Sequence, residues 1–281
     1  FLSQYLKIEF RNIIGTDLEP QKAPCVVGFR NLDQFREVLF RYGEFRNAKE
    51  VGLKLPRPHS TQLEVMLDDR QEEKYQEYLS QYESAIAKSA FDEGSGYAAL
   101  ALLQRMSLVA IHSELDEPPM PPANPLNPRK EVKPQWTFKN AHQASSYSSP
   151  KIDAVAKTIA QRRDCGHLVF AENNAVHYWL RERLVDFGIS RDRIAVLNGE
   201  VTPSNLARQK VAEGFTSVEN PQYDVVIANK IAYEGLNLQG RTCTIFHLDL
   251  PWEPATLTQR NGRGHRQGNP NEVINIFYVL A

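Results

Sequence analysis

The chain contains no Gly-Lys-Ser or Gly-Lys-Thr, so it lacks the loop whose backbone N–H groups and lysine cradle a nucleotide's phosphates. Its Asp-Glu pairs, Asp92-Glu93 and Asp116-Glu117, follow no buried apolar strand, which removes the usual seat of a magnesium-holding acidic pair. No apolar run approaches bilayer-spanning length, and Phe1-Leu2-Ser3-Gln4-Tyr5 lacks a secretory leader's charged head and apolar middle. No membrane partner is expected, and an intracellular setting (cytoplasm, nucleus or nucleoid) is the default. Cysteine is scarce. Cys25, Cys165 and Cys243 stand far apart, without Cys-x-x-Cys or a histidine at ligand spacing, so buried reduced thiols are expected rather than a metal site or a disulfide. A net charge of −1 gives no global pull toward nucleic acid, so any such contact has to come from a local patch.

What is present suffices for a folded core. With 281 residues, 42% of them hydrophobic, the chain allows one large or two modest domains, and it shows no internal repeat. From Ser149 onward helices and strands alternate. Pro150–Arg162 reads as a helix with Ser149 as N-cap and proline at its first position. His167–Ala171 is a short apolar strand, and Asn173–Phe187 places Val176, Leu180 and Leu184 at helical spacing before Gly188, a C-cap residue. Ile194–Leu197, Tyr223–Ala228, Thr242–Asp249 and Glu272–Leu280 read as strands, with helices from Thr202-Pro203 and over Ala255–Asn261. This alternation predicts an α/β fold, a parallel sheet covered by helices on both faces, with ligands at the C-terminal strand ends.

The first half reads differently. Leu32–Tyr42, Arg70–Ser89 and Tyr97–Ile111 are predicted helices, and Gln62–Leu67 alternates in the manner of a strand that would join the later sheet. Prolines between Ser113 and Pro150 exclude a long regular element and predict an exposed connection or a partly disordered loop. The expected division is residues 1–60, mainly helical, then 61–148, a helical insertion with the proline-rich connection, then 149–281 as the α/β unit.

The chemistry concentrates near the end, in Gln259-Arg260-Asn261-Gly262-Arg263-Gly264-His265-Arg266 and, upstream, Glu234-Gly235-Leu236-Asn237-Leu238-Gln239. Arginines three apart would share one face of a short helix, and such a pair suits a phosphate chain or, as the plainer account, surface salt bridges. Glycines on both sides of Arg263 would weaken that helix, so something must approach the backbone closely.

These segments resemble motifs V and VI of superfamily-two helicases, and in detail those of Swi/Snf-type duplex-DNA translocases. Gln259, Arg263, His265, Arg266 and Gly268 fill the family's motif VI places, and Asp249-Leu250-Pro251-Trp252-Glu253-Pro254 is similar to its Asp-x-x-Trp-Asn-Pro stretch. Ser149-Pro150-Lys151-Ile152, His167–Ala171 and Leu197-Asn198-Gly199-Glu200 with Arg208 and Phe215 resemble earlier landmarks of the second motor lobe. Leu55-Pro56, with Leu67, Gln71 and Tyr75, resembles the hinge between the lobes.

The resemblance implies a second RecA-like lobe that supplies half of an active site. Arg263 and Arg266 would be arginine fingers, and Gly235, Asn237 and Gln259 would meet the nucleotide, although a tight turn accounts equally for Gly235 and helix packing for Gln259. Asn173, Asn229 and Lys230 would face DNA phosphates; Asn173 suits an ordinary N-cap as well. His265 is expected to be structural, and Trp252 a packed lid. ATP and Mg²⁺ belong to the complete enzyme, an ATP hydrolase with a first RecA-like lobe in the same polypeptide and duplex DNA as sequence-nonspecific partner. This chain alone is expected to be inactive. The alternative is a non-catalytic protein or nucleic-acid interaction module on the same fold, whereas Trp252-Glu253-Pro254 and His265-Arg266 disfavour an RNA helicase.

Overall fold

A computed structural model describes residues 2–14, 20–44, 46, 50–89, 93–120, 133–233 and 235–281. The chain divides into two units, residues 1–53 with 85–100 and residues 54–84 with 101–281.

In the first unit, helix α1 (Leu2–Tyr5) leads into an antiparallel ribbon of β1 (Leu6–Ile14) and β2 (Pro20–Phe29), followed by α2 (Leu32–Tyr42). The ribbon corrects the expectation of a mainly helical first sixty residues, since strands of 9 and 10 residues face helices of 4 and 11. Leu6, Ile8 and Phe10 alternate with Lys7, Glu9 and Arg11, the period of a strand rather than of a helix. Phe35 of α2 docks at this end, its ring 5.3 Å from Tyr5 and 6.5 Å from Phe29.

The second unit is a six-stranded sheet, all parallel, in the order β3-β8-β7-β4-β6-β5. Strand β3 (Arg57–Glu64) is the one anticipated at 62–67; it starts earlier because it pairs along its whole length with the last strand. Helices α3 (Asp69–Ser89) and α4 (Glu93–Val109) follow, and their portions 69–84 and 101–109 belong to this unit. They meet through Tyr78, Met106 and Val109, and Gln71 Nε2 donates to the Val109 carbonyl at 2.6 Å. Tyr78 donates to Asp116 Oδ2 at 2.6 Å, and burial, helped by that carboxylate, pushes its phenol up to about 12.

Beyond these come α5 (Pro150–Ala160), β4 (Gly166–Phe170), α6 (Asn174–Asp186), β5 (Ile194–Leu197), α7 (Asn205–Thr216), β6 (Val225–Ala228), β7 (Thr242–His247), α8 (Pro254–Asn261) and β8 (Val273–Leu280). Ser149 caps α5 as its sequence suggests, and Gly188 takes a φ of 84° just past α6. Strand residues alternate between two apolar layers: Val169, Ile227 and Phe246 pack with Ile152, Val155, Trp179 and Leu180 on one face. Leu168, Val226, Ile245 and Ile276 pack with Val211 and Phe215 on the other. This is the RecA-like arrangement, a parallel sheet between helical layers.

Two expectations are revised here. The proline-rich connection is not exposed throughout: Ala141 is buried, Trp179 Nε1 donates to its carbonyl at 2.8 Å, and Trp136 packs edge-on against Trp179 at 5.3 Å. Cys165 and Cys243 form a disulfide with Cα atoms 6.0 Å apart, not separate thiols. Strand order explains this, because Cys165 enters β4 beside Cys243 of β7, where the register slips by one residue.

Candidate functional site

Loop 235–238 lies between β6 and β7, and the chain beyond α8 returns to it. Arg263 Nη1 donates to the Leu236 carbonyl at 2.9 Å, and Arg266 Nη1 donates to Asn237 Oδ1 at 3.1 Å. Both guanidinium groups therefore end on consecutive residues of one loop. They do not share a helix face, as their spacing suggested: α8 stops at Asn261, Gly262 caps it, and both arginines lie in the turns beyond. Gly235, with φ 72°, takes a backbone conformation that side chains disfavour, and a Cβ there would meet nothing within 4 Å. The loop thus presents its backbone to open space, beside an exposed arginine.

The close approach that the flanking glycines suggested is found at Gly264 and comes from the protein itself. A Cβ on Gly264 would lie 2.6 Å from Thr242 Cγ2 and 3.1 Å from Ile245 Cδ1, so the close neighbour is β7 of the protein itself. Gly262 serves the C-terminus of α8. His265 Nε2 lies 2.9 Å from the Pro56 carbonyl, tying this segment to the approach to β3, which is a structural role.

A polar cavity of about 740 Å³ is lined by Asn205, Arg208, Gln209, Lys230, Gly235 and Gln259, among others. It unites Gly235 and Gln259 with Lys230, residues assigned to different ligands from the sequence. Lys230 is exposed, whereas Arg208 is spent locally, donating from Nε to the Thr202 carbonyl at 2.9 Å and from Nη2 to the Pro203 carbonyl at 2.9 Å.

The asparagines are placed elsewhere. Asn173 caps α6, its side chain accepting from Ala175 N at 2.9 Å. Asn229 is buried: its Nδ2 donates to Asn174 Oδ1 at 3.0 Å and its Oδ1 accepts from Ile231 N at 3.2 Å. Its side chain holds the strand ends together. Trp252 is no packed lid, being 73% exposed.

One residue escaped the sequence reading. Arg260 is completely buried and ties α8 to the ends of two strands, donating from Nη2 to Glu172 Oε1 and from Nη1 to the Asp249 carbonyl, each at 2.8 Å. Asp249 is largely shielded; desolvation raises its carboxyl above the ordinary aspartate range, while Arg260 opposes that shift. Nothing local in the sequence signals the network, since Glu172 is 88 residues away.

Gly235 and Gln259 line the polar cavity, and Arg263 and Arg266 bond the next two residues of the same loop. Among the described residues no carboxylate lines the polar cavity. Among the described residues the one group able to hold a metal is Cys165, His167 and Cys243, and its two sulfurs are joined to each other. No helix among the described residues is long and apolar enough to cross a membrane.

Comparison with known proteins agrees with this architecture. Residues 150–268 match the helicase conserved C-terminal domain. The fold is that of the C-terminal part of the Fun30 ATPase domain, with a TM-score of 0.59 at 16% identity over 80% of this chain and 86% of that one. It is also similar to the SWI2/SNF2 ATPase core of Sulfolobus solfataricus, solved in complex with dsDNA, with a TM-score of 0.53 at 16% identity over 88% of this chain and 46% of that one. A 73-residue stretch, 26% of this chain, is 41% identical to Defense against restriction protein B of Escherichia phage P1, of which it spans 3%.

Proposed function

We propose that this chain, whose residues 150–268 are a helicase conserved C-terminal domain, is the second motor lobe of an ATP-dependent translocase acting on duplex DNA. The observation that carries the reading is the convergence of Arg263 and Arg266 on Leu236 and Asn237 beside the open backbone of Gly235. ATP supplies a phosphoanhydride whose cleavage develops negative charge. Always-ionised planar donors held at a fixed loop suit that charge, and the weak anchoring of exposed Arg266 leaves its remaining N–H groups for a phosphate. Gln259 and Asn237 would orient the nucleotide. The phosphate-cradling loop and the carboxylates for Mg²⁺ would come from a first RecA-like lobe.

Lys230 and the polar cavity would track the duplex backbone without reading bases, consistent with a complex between dsDNA and the similar Sulfolobus core. The test uses the intact protein that carries this lobe. Arg263→Ala and Arg266→Ala should each lower ATP turnover by roughly 10³-fold while nucleotide affinity changes far less. Stimulation should be greatest with duplex DNA, compared at matched salt with single-stranded DNA and structured RNA. Unchanged turnover would leave the arginines a purely structural role on loop 235–238; a preference for RNA would replace the duplex assignment, and indifference to all three would favour a non-catalytic interaction module.

A further inference from the structure

A second cavity, of about 820 Å³, opens at the C-terminal ends of β4, β7 and β8, away from the arginine pair. Leu103, Met106, Leu108 and Ile111 of α4 and the turn after it form one wall, and Val279 and Leu280 of β8 another. Lys151, the second residue of α5, also lines it and is only 8% exposed.

A lysine this deeply buried ordinarily ends on a carboxylate or a carbonyl. Among the described residues, Lys151 has no hydrogen-bond or ion-pair partner. The two acids in the same lining are engaged elsewhere. Arg260 lies 2.8 Å from Asp249 Oδ1 and 2.8 Å from Glu172 Oε1, and Asp249 Oδ2 accepts from Glu172 N at 2.6 Å. Asp249 therefore acts on Lys151 only through space. Desolvation brings the lysine down to about 8, with that carboxylate opposing, so at neutral pH most of the population carries a full charge and three unused donors.

We propose that this cavity is a binding site for a small amphiphilic anion, an apolar body seated against α4 and β8 with a carboxylate head on Lys151 Nζ. The volume is that of a small-molecule pocket, and its composition, mainly apolar walls with a few polar groups of which Lys151 is the one cation and the two carboxylates are held by Arg260, is the usual composition of such sites. A charged acceptor suits an ammonium better than a neutral one does, because charge-assisted bonds are the stronger kind.

Calorimetric titration of the purified protein with octanoate and with octanol separates head group from body. Octanoate should bind about tenfold more tightly than octanol or better. Lys151→Met, which keeps the stem and removes the charge, should abolish that preference and leave octanol binding unchanged. Leu103→Trp, at the cavity wall, should weaken both ligands without touching the charge. Equal affinity for the two ligands, an octanoate affinity indifferent to Lys151→Met, or displacement of octanoate by a duplex oligonucleotide would each overturn the proposal, the last by giving the cavity to nucleic acid.

Discussion

Arg260 Nη1 lies 2.8 Å from Asp249 Oδ1; the guanidinium is completely buried and the carboxylate largely so. Removing one member of a buried pair leaves the other charged and desolvated, which costs about 3–5 kcal/mol. Arg260→Met should therefore destabilise the protein by about 3 kcal/mol or more in denaturant melts, and Asp249→Asn in the same background should recover part of the loss. Full stability in Arg260→Met would show that the pair contributes nothing net.

Gly264 has a packing reason of its own. Alanine there would drive its Cβ to 2.6 Å from Thr242 Cγ2, an overpacking that costs about 1–3 kcal/mol. Thr242→Ser removes that methyl while keeping the hydroxyl that donates to the Leu238 carbonyl at 2.6 Å. The double variant Gly264→Ala/Thr242→Ser should melt at a higher temperature than Gly264→Ala alone; additive losses would mean the clash is relieved elsewhere.

His167, His177 and His247 are each pushed down to about 4, in every case chiefly by burial. Their pKa values are lower in the folded state than in the unfolded one, near 6.5, so the unfolded chain binds more protons between those values. Stability is then complete above pH 6.5 and is lost as pH falls toward 4, at about 1.4 kcal/mol per unit for each histidine over that window. His177 Nε2 faces the Ala171 carbonyl at 2.8 Å and Nδ1 faces Asn198 Nδ2 at 3.1 Å, a pairing that suits the neutral ring. His177→Gln should lower the slope of unfolding free energy against pH in that window by about 1.4 kcal/mol per unit, and an unaltered slope would assign the acid sensitivity to other groups.

The disulfide closes a loop with a sequence separation of 78 residues. On the chain-entropy account a loop of that size contributes about 4 kcal/mol by restricting the unfolded ensemble. Oxidised protein should unfold at higher denaturant than the same protein under reducing conditions, and Cys243→Ser should remove the difference. Coincident midpoints in the two conditions would mean that the cross-link does not form in solution.

Lys230 sits exposed at the polar cavity, where a phosphate contact would carry no sequence information. Lys230→Ala should weaken duplex binding by a similar factor on every sequence tried and make its salt dependence shallower. A loss confined to certain sequences would point to base contact instead.

Much of the α/β unit was legible because its signals are local. The Ser149-Pro150 start, the four-residue spacing of Val176, Leu180 and Leu184, and Gly188 after α6 each report on a stretch no longer than one element. What escaped depends on neighbours distant in sequence. Cys165 meets Cys243, and Arg260 meets Glu172, only because β4 lies beside β7 and α8 returns over their ends. The position of the arginine pair was legible but its backbone was not, since Gly262 ends the helix before either arginine is reached. The β1–β2 ribbon is the opposite case. Its alternation stands plainly in Leu6–Arg11, but a two-stranded ribbon has no helix or third strand to strengthen the pattern.

Strand β3 covers one flank of β8 along all eight of its residues, yet it comes from the far side of two helices and the proline-rich connection. A fragment begun at residue 149 would retain every motif of the helicase domain and still leave the main-chain donors and acceptors of Val273–Leu280 uncovered. Such a flank, carrying Ile274, Ile276 and Val279, is a template on which a second molecule can add its own strand. The integrity of the six-stranded sheet in solution thus rests on Arg57–Glu64, and trimming that strand should yield self-associating protein rather than a smaller soluble unit.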